Sequence, residues 1–597
     1  MNTKASRGNK YYEFSEKKIE LYTLSKSGNY NFKNLMELIL SDENILLAYR
    51  TIKSNTGSKT KGTDGYTIIH LAEQNQSDFL ELIRNSVLDY KPHSVRRVWI
   101  PKPNGDQRPL GIPSIKDRLI QQMFLNVLEP ICEAKFYNHS YGFRPNRSTR
   151  YAIARVQTLV NINKLHFTVD IDVKGFFDNV NHNLLIKQLW NIGIKDKRVL
   201  AVISKMLKAP IQGEGIPNKG VPQGGILSPL LSNVVLNDLD HWVADQWDTF
   251  NKTNHTYSSN DKKLRALRDG TNMKEGYIVR YADDFRIMAR NYETAVKWFH
   301  AVRKYLKDRL KLDISPDKSR VINLRKKSSD FLSYKIKAAR KKGKVVAFTY
   351  VSDKKIMNLQ QTLKERIHAI KKEPSQKNIS NYNATILGVH HYFKYATHAS
   401  IAFRKLDFQL FKTLKHRLRH ISSYGYPTGL SPDSTYRKFY PVTRKTFKIG
   451  DFYFFPIGNI KSISNLNYSQ SVNPYDIEFN FKWDGQIIDL MRSRLPNRSV
   501  EYMDNRLSVY SMQKGRCAVT GIPLLVHDVH CHHKTPIHLG GKDDFKNLTI
   551  VHKDIHKLIH ATQKETIDKY LRYFGLNSMQ LKKLHQLRNL CKLNKVV

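Results

Sequence analysis

The sequence predicts a multidomain α+β protein, and three observations predict it. The chain has 597 residues, which exceeds one ordinary core and suggests about four domains at ~150 residues each. Helical periodicity near the N-terminus gives way to short strands and turns from Val95 onward, and basic helical character returns after residue 355. The last ninety or so residues then change to a His-rich composition of their own. Hydrophobic residues at 40% and aromatics at 11% are enough to bury several cores rather than leave a disordered chain.

Taken in order, residues 15–90 read as amphipathic helices, with apolar residues at helical spacing over 34–48 and 78–88. A polar, Gly-containing stretch over 54–65 separates them. VRRVWIPKPNGDQRPLGIP from Val95 reads as two strands around a turn at Pro103-Asn104-Gly105. Helices are expected over 116–133 and 149–160, and a strand over 166–173. Residues 249–275 are polar and charged, and read as a surface excursion. Strand-like segments then bracket Tyr281-Ala282-Asp283-Asp284. Residues 355–420 read as basic helices, and 422–435 and 456–475 as linkers.

The charge balance narrows the partner. Lys and Arg number 99 against 52 Asp and Glu, a formal net charge of +47, spread along most of the length. A field of that size calls for a polyanion, because neutralising phosphates releases counterions and drives binding. A solvated basic surface accounts for a single run such as 340–344 but not for the whole chain. Four cysteines, Cys132, Cys517, Cys531 and Cys591, show no disulfide-like spacing, which predicts a reducing, intracellular setting. No apolar run approaches the ~18–20 residues that span a bilayer, so no membrane partner is expected.

Two acidic elements carry the chemistry. Asp283 and Asp284 fall at the tip of a predicted hairpin, where adjacent like charges are costly without a cation between them. Far upstream, Asp170 and Asp172 alternate along a predicted strand. Phosphoryl transfer by two metal ions needs carboxylates from separate strands, holding the ions roughly 3.5–4 Å apart. An acid-ended strand and an acid-tipped hairpin fit that need. The pattern resembles the reverse transcriptase/maturase proteins encoded within group II introns, over essentially the whole chain. The matching elements stand in the family's order: RPLGIPSIKDRLIQ from Arg108, YGFRPNRS from Tyr141, DVKGFFDNVNH from Asp172, VPQGGILSPLLSN from Val221, YADD, and LDISPDKS from Leu312.

The resemblance implies a right-hand polymerase with fingers and palm, and assigns roles by position. Asp172, Asp283 and Asp284 would hold two Mg2+ ions, leaving Asp170 solvated or structural. Lys102 and Arg108 would grip the incoming deoxynucleoside triphosphate, one as a point charge and one as a forked cation. Phe177 would pack under the sugar and exclude a 2′-hydroxyl, Gln223 would touch the template, and Lys318 would protonate or stabilise the leaving pyrophosphate. Phe331-Leu332-Ser333-Tyr334 takes the primer-grip position, with Ser333 where the family commonly has Gly. Further on, Tyr382-Asn383, Gly388 and His391-Tyr392-Phe393 resemble the maturase region, a helical thumb that contacts intron RNA. Lys412, Lys415, Arg417 and Arg419 are its candidate phosphate contacts, although a solvated helix face explains each one singly. For Tyr392 and Phe393, core packing is a simpler reading than stacking on bases.

The C-terminal segment resembles HNH nucleases, a small ββα fold around one divalent ion. His532-His533, Asn547, His556 and His560 stand at the family's spacing. The resemblance makes His533 the general base, Asn547 the residue that orients its ring, and His532, His556 and His560 the ligands of one ion, expected to be Mg2+. Many relatives carry two CxxC pairs for structural zinc. Here those positions read Cys517, Thr520, His552 and Ile555, so structural zinc is not expected.

The expected division is a helical extension over 1–88, fingers and palm over 89–338, thumb and maturase over 339–455, a DNA-binding link over 456–508, and the nuclease over 509–597. The expected partners are intron RNA, a double-stranded DNA target and deoxynucleoside triphosphates, with oligomeric state open. A splicing factor with degenerate enzyme domains is the alternative. Intact Asp172, Asp283, Asp284 and His533 argue against it. A stand-alone nuclease with a basic accessory domain would leave YADD unexplained.

Overall fold

The computed structural model describes residues 14–28, 30–101, 105, 107–250, 256–431, 434–475, 489–491, 493 and 495–596. They form two compact units, one drawn from residues 14–135, 177–234 and 471–596, the other from 136–176 and 235–470. Among the described residues no helix is long and apolar enough to cross a membrane.

The first unit is built on the helix Ile115–Glu133, which packs against Phe14–Lys26, Leu35–Ile39 and Asp42–Ser54. The single helix expected over 34–48 is two. Leu40 ends the first, and Ser41 caps the second by accepting the Asn44 N–H, with Asp42 and Glu43 in the first turn. Such a cap satisfies an orphan donor and the acids suit the positive helix end, so the break has a local cause. Arg96–Pro101 and Gln107–Ile112 form an antiparallel hairpin, as the turn residues predict. Lys102 lies outside the described residues.

Described parts of the region expected as a DNA-binding link pack within this unit. Val500–Met512 is a helix whose Asp504 is buried against Arg50 (2.7 Å) and Lys53 (3.0 Å) of the Asp42–Ser54 helix. Tyr475 donates to Glu129 at 2.7 Å and stacks on Tyr22. Residues 476–488 lie outside the described set. The C-terminal part of this unit carries the antiparallel pair Val529–His533 and Leu548–His552, followed by the helix Lys553–His560.

The second unit centres on a four-stranded antiparallel sheet in the order Tyr277–Tyr281, Asp284–Ala289, Phe167–Asp172, Arg320–Asn323. The helix Tyr292–Tyr305 packs on it. Val169 and Ile171 point into the core, while Thr168, Asp170 and Asp172 share the other face. A second sheet, Ser329–Phe331, Tyr334–Lys341 and Lys344–Val351, precedes the helices Asp353–Lys372, Gln376–Phe393 and Ala399–Arg417.

Two sequence expectations change here. The excursion over 249–275 contains a helix, Asn260–Gly270, that buries Leu264 and Leu267. Glu275 at its end is buried and bound by Arg268 and Arg290. The apolar residues are few but fall at helical spacing, so the polar composition masked them. The linker expected over 422–435 supplies Ser423–Gly425 to a three-stranded sheet with Thr446–Ile449 and Phe452–Tyr453. Buried Tyr436, Tyr440, Phe447 and Phe454 form its core.

Leu332 and Ser333 both adopt left-handed backbone (φ 52° and 64°) in the two-residue turn between Phe331 and Tyr334. A side chain there costs roughly 1 kcal/mol, which explains why glycine suits position 333. Tyr392 donates to Leu332 O at 2.9 Å and Tyr334 to Tyr392 O at 2.6 Å. Tyr392 and the fully buried Phe393 are therefore packing residues, as the simpler reading expected.

The second unit also buries histidines in neutral form. Burial and the Arg325, Lys164 and Arg290 charges push His166 down to about 4, and burial with Arg155, Arg147 and Arg144 holds His139 well below its usual range. A depressed imidazole contributes stability that is complete above the unfolded value, near 6.5, and is lost as pH falls from there toward the folded value. The melting temperature should therefore decline between about pH 7 and pH 5. His166→Gln should flatten that decline in calorimetry. Parallel curves for the two proteins would refute the assignment to His166.

Candidate functional site

The first site sits at one end of the four-stranded sheet. Register places Asp172 directly opposite Asp284 on the adjacent strand, and Asp170 opposite Arg286. Cross-strand neighbours on one face bring their Cβ atoms to about 4.5–5.5 Å, so two carboxylates from separate strands converge. Asp283 joins them from the two-residue turn Ala282-Asp283.

That turn is held from behind. Ala282 is left-handed (φ 57°), and its carbonyl accepts from Arg280 Nη1 at 2.9 Å. Arg280 in turn grips Asp240 through Nε (2.8 and 2.9 Å) and Nη2 (2.7 Å), both side chains at most 1% exposed. Gly142 lies against the same turn. A Cβ there would stand 2.3 Å from Ala282 N, so only glycine allows the approach.

Arg286 is the residue the sequence did not single out. Buried, it ion-pairs with Asp170 (Nε to Oδ1, 2.9 Å) and with Asp284 (Nη1 to Oδ1, 2.8 Å), and lies over the Phe331 ring. Asp170 also accepts from Thr168 Oγ1 (2.9 Å) and Ser329 Oγ (2.6 Å). It is thus structural rather than solvated, and Arg286 absorbs its charge. Asp284 is still pushed up to about 6, first by burial and then by Asp170 and Asp283, with Arg286 opposing. Asp170, Asp172, Asp283 and Asp284 against Arg286 and Lys318 leave net negative charge at the open end. A hard divalent cation with oxygen ligands fits that donor set. Lys318 stands beside it, Nζ 3.4 Å from Asp172 Oδ2, both exposed.

In the first unit, Arg108, Phe177 and Gln223 belong to segments that are stitched together. Gly111 N donates to Gln223 O at 2.6 Å, Val221 N to Phe177 O at 2.7 Å, and Gly220 N to Val180 O at 2.7 Å. Gly224 (φ 112°) carries the close approach. A Cβ would meet Gly111 O at 2.4 Å. Arg108 is exposed on the hairpin, and Phe177 and Gln223 are half-buried. Lys412, Lys415 and Arg417 lie exposed on the helix Ala399–Arg417, with exposed Arg419 just beyond. Lys412 rests over Phe408 at 4.9 Å.

The second site is the histidine cluster. The rings of His532, His556 and His560 meet at centroid distances of 5.3, 5.2 and 4.8 Å. The donor atoms that converge, however, are those of His532, His560 and Cys591, all within 4.8 Å. His556 instead stacks on His530 at 3.6 Å. The expectation that Asn547 orients the His533 ring is not met. Asn547 accepts the Thr535 N–H and donates to Thr535 O and Lys542 O, bracing the loop. Asp543 holds the ring, His533 Nε2 to Oδ1 at 2.7 Å, while Tyr502 stacks on it. Asp543 lies between His533 and Asn547 in the sequence with nothing local to mark its role, and Cys591 carries no local signal. Cys517 accepts the His552 N–H at 3.4 Å.

The sequence is similar to those of known proteins. A family model described as reverse transcriptase (RNA-dependent DNA polymerase) matches residues 100–336. Protein YkfC of Escherichia coli K12 is 34% identical over 303 residues, 48% of this chain and 79% of its own. Group II intron-encoded protein LtrA of Lactococcus lactis is 29% identical over 455 residues, 68% of this chain and 73% of its own. A putative COX1/OXI3 intron 1 protein of Saccharomyces cerevisiae is 25% identical over 575 residues, 85% of this chain and 65% of its own. The chain belongs to the reverse transcriptase (RNA-dependent DNA polymerase) family, and proteins encoded in group II introns are among its relatives.

Proposed function

We propose that the chain is a group II intron protein that copies RNA into DNA, assists splicing of its intron RNA, and nicks the DNA target whose new end it extends. The observation that carries the polymerase reading is the pairing of Asp172 with Asp284 beside Asp283. Two Mg2+ ions held by these three carboxylates would supply activation of the attacking 3′-hydroxyl and neutralisation of the leaving pyrophosphate. The protein's part is positional. The Arg280–Asp240 pair fixes the turn that presents Asp283, and Arg286 orients Asp284. Lys318 offers a cation and a proton beside Asp172, suited to a departing pyrophosphate oxygen. Arg108, and Lys102 outside the described residues, are the proposed triphosphate contacts. Phe177 is proposed to screen the sugar, and Gln223 to meet the template.

The maturase role rests on the intron-encoded relatives and on the basic face of Lys412, Lys415, Arg417 and Arg419. The nicking role rests on His533, held by Asp543 and Tyr502 as a base must be held, beside the cluster of His532, His556 and His560. Purified protein given an RNA template, a DNA primer, deoxynucleotides and Mg2+ should make cDNA. Clean RNA binding without synthesis across a range of salt would favour the splicing-factor reading instead. His533→Ala should stop DNA nicking and leave synthesis intact. Nicking that survives the change would remove His533 from the role of base.

A further inference from the structure

The histidine cluster contains a ligand that its motif does not supply. Cys591 follows the helix Ser578–Leu590, and its Sγ lies 3.9 Å from His532 Nε2. Both residues are buried, at 7% and 1% exposure. The approach is fixed rather than incidental. Arg588, one turn earlier, donates through Nη1 to the carbonyls of Leu558, Ile559 and Ala561 at 2.8–3.0 Å. It thereby caps the open end of the helix that carries His560, and ties Cys591 to that helix. Nε of the same guanidinium holds Asn594 O at 2.7 Å, which closes the chain back over the cluster.

The donor set decides the ion. Metal bonds of about 2.0–2.1 Å to imidazole and 2.3 Å to thiolate place the donor atoms of a tetrahedral site roughly 3.3–3.6 Å apart. The observed span of 4.8 Å closes to that with small side-chain movements. Two imidazoles and a sulfur, with no carboxylate among them, suit Zn2+ and its neighbours, whereas Mg2+ takes oxygen ligands. We infer that His532, His560 and Cys591 form an imidazole–thiolate centre that takes Zn2+ in preference to Mg2+, with His556 or water in the fourth position. Binding deprotonates the Cys591 thiol, the proton leaving to solvent. This replaces the Mg2+ expected at that position, and it rests on the nicking reading only for what the ion does once bound.

The test uses the full chain, stripped of metal and titrated with Co2+. The wild type should show a thiolate-to-cobalt charge-transfer band in the near ultraviolet, with the intense visible bands of a tetrahedral ion. Zn2+ at stoichiometric level should abolish both, and excess Mg2+ should not. Cys591→Ser should lose the charge-transfer band, while Cys517→Ser keeps it. A variant-free measurement guards against misfolding. Zn2+ should slow alkylation of Cys591, read by mass spectrometry, at least about tenfold relative to Mg2+. A cobalt spectrum without the band, a band that survives Cys591→Ser, or alkylation indifferent to Zn2+ would overturn the centre. Nicking is assayed in parallel. The band present without nicking removes the nuclease reading and leaves the centre, and nicking without the band does the reverse.

Discussion

Asp284→Asn should reduce cDNA synthesis by roughly 10³-fold or more, about 4 kcal/mol at 1.36 kcal/mol per decade, while leaving RNA binding unchanged. Asn keeps the shape of Asp and can still accept from Arg286 Nη1, which lies 2.8 Å from Asp284 Oδ1. What it removes is charge. In the protein without metal that charge is a burden, since Asp284 faces Asp172 across the strand pair and adjoins Asp283 and Asp170. Relieving like-charge repulsion should hold the melting temperature level or raise it in metal-free buffer. The two readouts thus move in opposite directions. Asp283→Ala should likewise abolish synthesis and spare RNA binding. Retention of a tenth or more of synthesis in Asp284→Asn would count against carboxylates acting through bound ions. A collapse of stability would show the acid to be a structural partner of Arg286 instead.

Much of this site could be read in the sequence because its residues are chemically conspicuous. Asp172, Asp283 and Asp284 stand out as acids on apolar strands, and family spacing fixed which acid of the upstream strand matters. The role of Asp170 could not be read that way. Period two places Asp170 and Asp172 on the same face, and the register that sets Arg286 opposite Asp170 is what gives Asp170 its structural role. The helix over 260–270 was hidden because its buried Leu264 and Leu267 sit in a strongly charged segment. At the histidine cluster, spacing brought out His532, His556 and His560, but not Cys591, which reaches them through a helix thirty residues further on. Asn547 shows the converse limit. Its position in the motif was legible, yet its hydrogen bonds go to the loop at Thr535 and Lys542, and Asp543 holds the base. Long-range pairing is what the local pattern does not carry.

The largest stability effect should come from Asp240→Asn, at a residue with no part in any motif. Asp240 and Arg280 are at most 1% exposed, so neutralising one leaves the other as an uncompensated buried charge, at about 3–5 kcal/mol. For a unit of this size that corresponds to a fall in melting temperature on the order of 10 °C. The pair also bears on function. Arg280 Nη1 holds Ala282 O at 2.9 Å, which keeps the left-handed turn that presents Asp283. Stability and positioning can be separated by replacing both partners. Asp240→Leu with Arg280→Met removes both buried charges and should recover much of the lost stability, as apolar replacements of buried ion pairs often do. The double variant still lacks the donor to Ala282 O, so synthesis should stay well below wild type at temperatures where the protein is folded. Full synthesis in the stable double variant would show that the turn holds itself, and that Arg280 serves the core alone. A single variant as stable as wild type would mean that water reaches the pair, which its burial does not allow.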